Sequence, residues 1–161
     1  MKKLQFLLPL LLLPALVFGG VDSWKVGDVL PAFELKDQHD KVKKLDDQVR
    51  LILFAKEMAT KGIINEMLNG EGEGFLEEHQ TIYIADISGM PGFATRWFAL
   101  PKMRKYGYSL LLDYTGEVTG PIPTRKKKVT LIYLDKKKVI NIQHLDRAEL
   151  LKQEIVRDAL P

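Results

Sequence analysis

The chain of 161 residues contains no cysteine. That absence removes disulfides, thiol nucleophiles, thiolate metal sites and cysteine lipidation at once. Histidine is scarce too, and His39, His79 and His144 lie far apart with no His-Glu-x-x-His or other close ligand pair. A metal site of the usual spacing is therefore not predicted. A phosphate-binding loop is missing as well. Gly89-x-x-Gly92 and the glycines at 70, 72 and 74 are followed by no Lys-Ser/Thr. Charge of one sign is also modest. The formal net charge is +3, and setting aside Lys2 and Lys3 leaves +1, which gives little support to nucleic-acid or membrane-surface binding. What remains is an ordinary globular composition, 46% hydrophobic and 28% charged, with length for one domain.

The one long apolar run stands at the start. Met1-Lys2-Lys3 is basic, Leu4 to Phe18 is apolar apart from Gln5, Pro9 and Pro14, and Gly19-Gly20 follows. A basic start, an apolar run and small residues predict a secretory signal peptide over residues 1–19 and a domain over 20–161. The alternative is a retained membrane anchor, which the shortness of the run and its two prolines disfavour. The short basic start suggests a bacterial periplasm as destination, with no stable membrane insertion once the segment is removed.

Along the rest, strands and helices alternate. Phe33-Glu34-Leu35 and Val42 to Leu45 flank a turn-forming Asp37-Gln38-His39-Asp40, predicting a hairpin. Leu51 to Ala55 reads as a strand buried on both faces. Ile63, Ile64, Met67 and Leu68 recur at helical spacing, predicting a helix from about Ala59 to Asn69. Thr81 to Asp86 and Tyr108 to Asp113 are further strands. Between them a helix begins near Pro91, with Phe93, Trp97, Phe98 and Met103 as inward residues and Pro101 kinking or splitting it. Val129 to Asp135 and Val139 to Ile142 form a hairpin around Lys136-Lys137-Lys138. A last helix buries Leu151, Ile155 and Ala159, and Asp146 with Glu149 reads as its capping box. The alternation predicts an α/β fold with a central mixed sheet, parallel in part, flanked by helices, with an N-terminal β-hairpin extension.

Several pieces together resemble the thioredoxin-like superfamily, in its exported thioredoxin-related and peroxiredoxin-like branches. Val26-Gly27-Asp28 through Pro31-Ala32-Phe33-Glu34-Leu35-Lys36-Asp37 is similar to the opening of those proteins. Leu51 to Ala55 resembles the strand leading into their active-site motif, and Leu111-Leu112-Asp113-Tyr114-Thr115-Gly116 their segment after the second helix. Ile122-Pro123-Thr124 resembles their Val-Pro-Thr loop, whose proline is cis. Here Arg125-Lys126-Lys127-Lys128 intervene before the strand, so the geometry of Pro123 stays open. The resemblance implies a thioredoxin-like fold but not its chemistry. One register places Ala59 and Gly62 at the two cysteine positions and another places Thr60 and Ile63 there. Neither supplies the thiolate that disulfide exchange requires.

Candidate sites follow from this. The leading expectation is a non-catalytic module for an envelope protein or peptide, with no cofactor and no nucleic acid. Its binding residues would be Lys61, Pro123, Thr124, Arg125, Lys126, Lys127 and Lys128. Arg125–Lys128 and Lys136–Lys138 flank a strand and so stand about 20 Å apart, at opposite ends. Thr60 reads as a first-turn hydroxyl rather than a nucleophile. The alternative is a small-molecule or metal-dependent enzyme using Asp86 and Asp113. Both end strands at one edge of the sheet, where open α/β sheets bind ligands. Turn formation is the simpler role for both.

Overall fold

A computed structural model describes residues 22–158. The expected signal peptide, residues 1–19, lies outside the described residues, as does Ala159.

A seven-stranded mixed sheet runs in the order β2-β1-β5-β4-β3-β6-β7. Its centre is parallel: β3 (Leu51–Phe54), β4 (Thr81–Asp86) and β5 (Leu111–Asp113) run side by side in one direction. β3 is buried on both faces, which explains its unbroken apolar sequence, and β4 and β5 are largely buried beside it. β6 (Val129–Asp135) lies antiparallel to β3, and β7 (Lys138–Leu145) antiparallel to β6. On the other side the hairpin of β1 (Glu34–Asp37) and β2 (Val42–Lys44) extends the same sheet, β1 pairing antiparallel with β5. Buried Gln38 fixes that junction. Its Nε2 donates to the Tyr108 carbonyl at 2.6 Å and its Oε1 accepts the Leu110 amide at 2.8 Å.

The helices are α1 (Met58–Leu68), a single turn α2 (Phe75–Glu78), α3 (Gly92–Ala94), α4 (Leu100–Met103) and α5 (Ala148–Asp158). The turn α2 is not among the elements expected from the sequence. It starts after Gly74, whose φ of 94° needs glycine. Asp146 does not sit next to α5. It lies two residues before Ala148 and pairs with Lys128 at 3.4 Å.

Between α3 and α4 runs a π turn, Thr95–Ala99, so that 92–103 is one continuous helix. Pro101 explains the π turn. It has no N–H, and in an α-helix its ring would meet the carbonyl four residues back, at Trp97. The widened turn, closed by the Leu100 amide donating to the Thr95 carbonyl, makes room. The proline therefore widens the helix rather than splitting it.

The two faces of the sheet are covered differently. One packs against helices, with Ile64, Met67, Leu68, Leu76, Leu151 and Ile155 among its buried residues. Among the described residues the other is covered by irregular chain alone, through Leu30, Leu45, Val49 and Ile122, with Trp24, Phe33 and Val118 at its margin. The aromatic residues of helix 92–103 correct the sequence expectation. Phe93, Trp97 and Phe98 are 68%, 71% and 72% exposed, and of the four residues expected inward Met103 alone packs against the core.

Candidate functional site

The carboxyl ends of β3, β4 and β5 lie at one edge of the sheet, and the loops that follow them meet there. From β3 the chain passes Lys56 and Glu57 into α1. Glu57 precedes the helix, and Thr60 closes its first turn. The Glu57 amide donates to Thr60 Oγ1 at 3.1 Å, and Thr60 Oγ1 donates to the Glu57 carbonyl at 2.7 Å. The hydroxyl is buried and committed in both directions, so it terminates a helix and attacks nothing.

That geometry separates the two registers for the cysteine positions. Ala59 and Gly62 are exposed at the start of α1, whereas Thr60 is buried and Ile63 packs partly against the core. Beside Ala59, Met58 is 79% exposed. Lys61 is half-buried one turn from Glu57.

Asp86 and Asp113 are register partners on adjacent strands, yet their environments differ. Asp86 is half-buried, and its Oδ1 accepts the Ser88 amide at 2.9 Å and the Ser88 hydroxyl at 2.7 Å. It borders a shallow cavity of about 400 Å³ with Lys56, Ile87, Gly89, Met90 and Pro91. Asp113 is only 1% exposed. Its Oδ1 accepts the amides of Thr115 and Gly116 and the Thr115 hydroxyl; its Oδ2 accepts the amides of Val118 and Thr119 and the Thr119 hydroxyl. Burial alone would raise its pKa. The hydrogen bonds from Thr119, Gly116 and Thr115 outweigh burial and hold it below the ordinary carboxylate value. A carboxylate offers about four lone-pair directions, so Asp113 has none left for a substrate or a cation. It organises the loop 114–120. That loop closes with the Gly120 amide on the Gly116 carbonyl at 2.8 Å, an approach so close that a Cβ at 120 would overlap the same carbonyl.

The loop continues through Pro121, Ile122 and Pro123 to the basic run. No cis peptide bond occurs among the described residues, so Pro123 is trans. The Pro123 carbonyl accepts the Thr130 hydroxyl at 2.8 Å, and Ile122 is buried, so the proline is anchored on both sides. Thr124, Arg125, Lys126 and Lys127 are exposed. Lys127 has a left-handed φ of 59°, and its amide donates to Glu57 Oε1 at 3.4 Å. Glu57 thus ties the basic run to the start of α1 and to Lys61. Arg125, Lys126, Lys127, Lys56 and Lys61 enter no ion pair among the described residues. The other basic run is at the far end of β6, where Lys137 pairs with Asp47 at 2.9 Å.

His144 belongs to this site, which its place in the sequence did not indicate. Its Nδ1 lies 3.2 Å from Thr130 Oγ1. The single hydroxyl proton of Thr130 goes to Pro123, so the neutral imidazole carries its own proton on Nδ1 and donates it. Burial, then the positive charges of Arg125 and Lys128, lower the His144 pKa below 6.5. The double variant Arg125→Gln/Lys128→Gln is therefore expected to raise that pKa, as followed by NMR titration of the imidazole. An unchanged midpoint would separate His144 from the basic loop. Among the described residues no group of three or more His, Asp and Glu side chains could hold a metal ion.

No protein-family model matches the chain, and no curated protein does. Solved structures do match. Peroxidoxin BcpB from Mycobacterium tuberculosis aligns at 16% identity with a TM-score of 0.54, over 84% of this chain and 96% of that one. A thio-disulfide isomerase from Thermus thermophilus aligns at 18% identity and a TM-score of 0.54, over 86% and 99%. The thioredoxin domain of a thiol-disulfide oxidoreductase from Bacteroides vulgatus aligns at 13% identity and a TM-score of 0.53, over 86% and 100%. These likenesses establish the fold as thioredoxin-like. The redox chemistry named for those proteins needs a thiol, and this chain has none.

Proposed function

We propose that this protein is an exported, non-redox interaction module that binds a protein or peptide of the cell envelope through the edge where redox relatives keep their cysteines. One observation carries the reading. The loops of that edge are built and anchored, by Thr60, Asp113, Thr130 and Glu57. What they present outward is not a reactive group but exposed Met58 and Ala59 beside the unpaired cations of Arg125, Lys126 and Lys127. A rigid frame around an apolar and cationic surface suits an acidic, extended partner with an apolar anchor. Lys61, Pro123, Thr124 and Lys128 border the same surface. Residues 1–19 supply the export signal in this reading, and the periplasm is the compartment. No helix among the described residues is long and apolar enough to cross a membrane.

The test is capture of the tagged protein from its native envelope after mild crosslinking. A stoichiometric partner is expected. It should be lost when Arg125, Lys126, Lys127 and Lys128 are each replaced by glutamate, and kept in Asp86→Asn. Failure to recover any partner, or one that survives the charge reversal, would refute the proposed surface.

A further inference from the structure

Helix 92–103 carries a second surface, which the net charge of the chain conceals. Phe93, Trp97 and Phe98 are each about two-thirds exposed or more, the largest apolar side chains on the helix, and none of them serves the core. Phe93, Trp97 and exposed Pro101 follow one another at four-residue spacing, so they share a side of the helix. Exposed aromatic residues in so short a stretch are unusual for a surface that meets only water. Between Asp86 and Asp113 the sequence contains no acidic residue at all, and it contains Arg96, Lys102, Arg104 and Lys105. Arg104 is occupied by Asp40 at 3.1 Å. Arg96, Lys102 and Lys105 are exposed and enter no ion pair among the described residues.

We infer that helix 92–103 docks this domain on an anionic lipid surface, with Phe93, Trp97 and Phe98 entering the interface and Arg96, Lys102 and Lys105 facing the headgroups. Aromatic rings with an apolar body favour the headgroup level of a bilayer. A helix that joins exposed aromatics to uncompensated Lys and Arg, without a carboxylate, matches the chemistry of segments that lie in the interface plane. The cations choose the surface, because each one near an anionic leaflet adds attraction that a neutral leaflet does not offer. Twelve residues cannot span a hydrocarbon core that needs about 20, so the attachment is peripheral and reversible. This surface shares no residue with the basic loop at 125–128, and the inference does not rest on the partner proposed above.

The experiment uses the full chain with Trp24→Phe, which leaves Trp97 as the sole tryptophan of the two. Vesicles are prepared from phosphatidylcholine alone, and from equal parts phosphatidylcholine and phosphatidylglycerol. On the anionic vesicles, Trp97 emission is expected to shift to the blue and to be quenched by lipids brominated on the acyl chain. On the neutral vesicles neither should occur. Arg96→Glu/Lys102→Glu/Lys105→Glu should weaken partitioning about a hundredfold or more, from the loss of three surface cations, with an unchanged melting temperature. Three results would overturn the inference. Trp97 could stay open to aqueous acrylamide on anionic vesicles, even where residues 4–18 hold the chain there. Quenching could be equal on both compositions. Trp97 could already be shielded before lipid is added, by residues 4–18 or, if the shielding depends on concentration, by a second copy.

Discussion

Asp113→Ala is expected to lower the unfolding free energy by about 4 kcal/mol, a large part of the 5–15 kcal/mol typical of a domain. Four backbone amides, those of Thr115, Gly116, Val118 and Thr119, lose their acceptor together. At a net value of about 1 kcal/mol each the loss reaches that figure. The cost is not recovered by water at the centre of the cluster, because the carboxylate is fully buried. Asp113→Asn should recover only part. Its amide group keeps one acceptor oxygen but turns N–H donors toward amides that are themselves donors. Urea unfolding followed by circular dichroism is the measurement, and a loss below about 1 kcal/mol would show that the loop closes without the carboxylate. The acid limb follows with a definite sign. The folded pKa of Asp113 lies below its ordinary 3.8. Its contribution is therefore complete above that value and lost as the pH falls through the folded pKa. Asp113→Asn should flatten that part of the stability profile.

The second large effect is a gain. Ala59→Cys/Gly62→Cys is expected to convert the protein into a working dithiol. Residues three apart in a helix have Cα atoms about 5 Å from each other, inside the range a disulfide bridges. Both positions are exposed, and a Cβ at Gly62 meets nothing within 4 Å. The first turn of α1 and the nearby Lys56 and Lys61 favour a thiolate at position 59. The parent chain has no cysteine and should give no reduction of insulin disulfides by dithiothreitol above the uncatalysed rate. The variant should form an internal disulfide and accelerate the reaction. The alternative register, Thr60→Cys/Ile63→Cys, places sulfur in a buried position and removes the Thr60 bonds to Glu57, so it should unfold the start of α1 instead. If the first pair forms no disulfide, the backbone of this edge does not hold positions 59 and 62 in bridging geometry.

Most of the fold was legible because its strands are short apolar runs between turn residues, and β3, β4 and β6 declare themselves in Leu51–Phe54, Thr81–Asp86 and Val129–Asp135. α1 was legible from Ile64, Met67 and Leu68, one buried face at helical spacing. α2 was not, since one turn shows no period. Helix 92–103 was found, but its orientation was misread. Large aromatics are usually at least partly buried, and three of them, with Met103, at near-helical spacing suggest a core stripe. Only the uncompensated basic residues around them hinted at a surface. At the site, Thr60 and Asp113 were legible as local hydrogen-bonding residues, because their partners lie within six positions in sequence. Glu57 and His144 were not. Their partners, Lys127 and Thr130, come from separate strands and loops, and nothing in a linear pattern joins them.

The face of the sheet that no described helix covers is closed by residues far apart in the chain. Its shell begins with the earliest described residues, and their partners come last. The Trp24 amide reaches the Pro121 carbonyl, the Leu30 amide reaches Lys137, and the Val139 amide returns to Asp28. Each of these bonds closes a loop of about a hundred residues, the kind of contact whose entropic cost delays it. During synthesis, the first described residues emerge long before β7 exists to receive them. The helical side can assemble α1 on β3 and β4 from neighbouring sequence, while Ile52, Phe54, Ile132 and Leu134 of the other core are expected to stay uncovered until that shell closes. The first described residues are thus expected to be among the last to dock, leaving the second core open until they do.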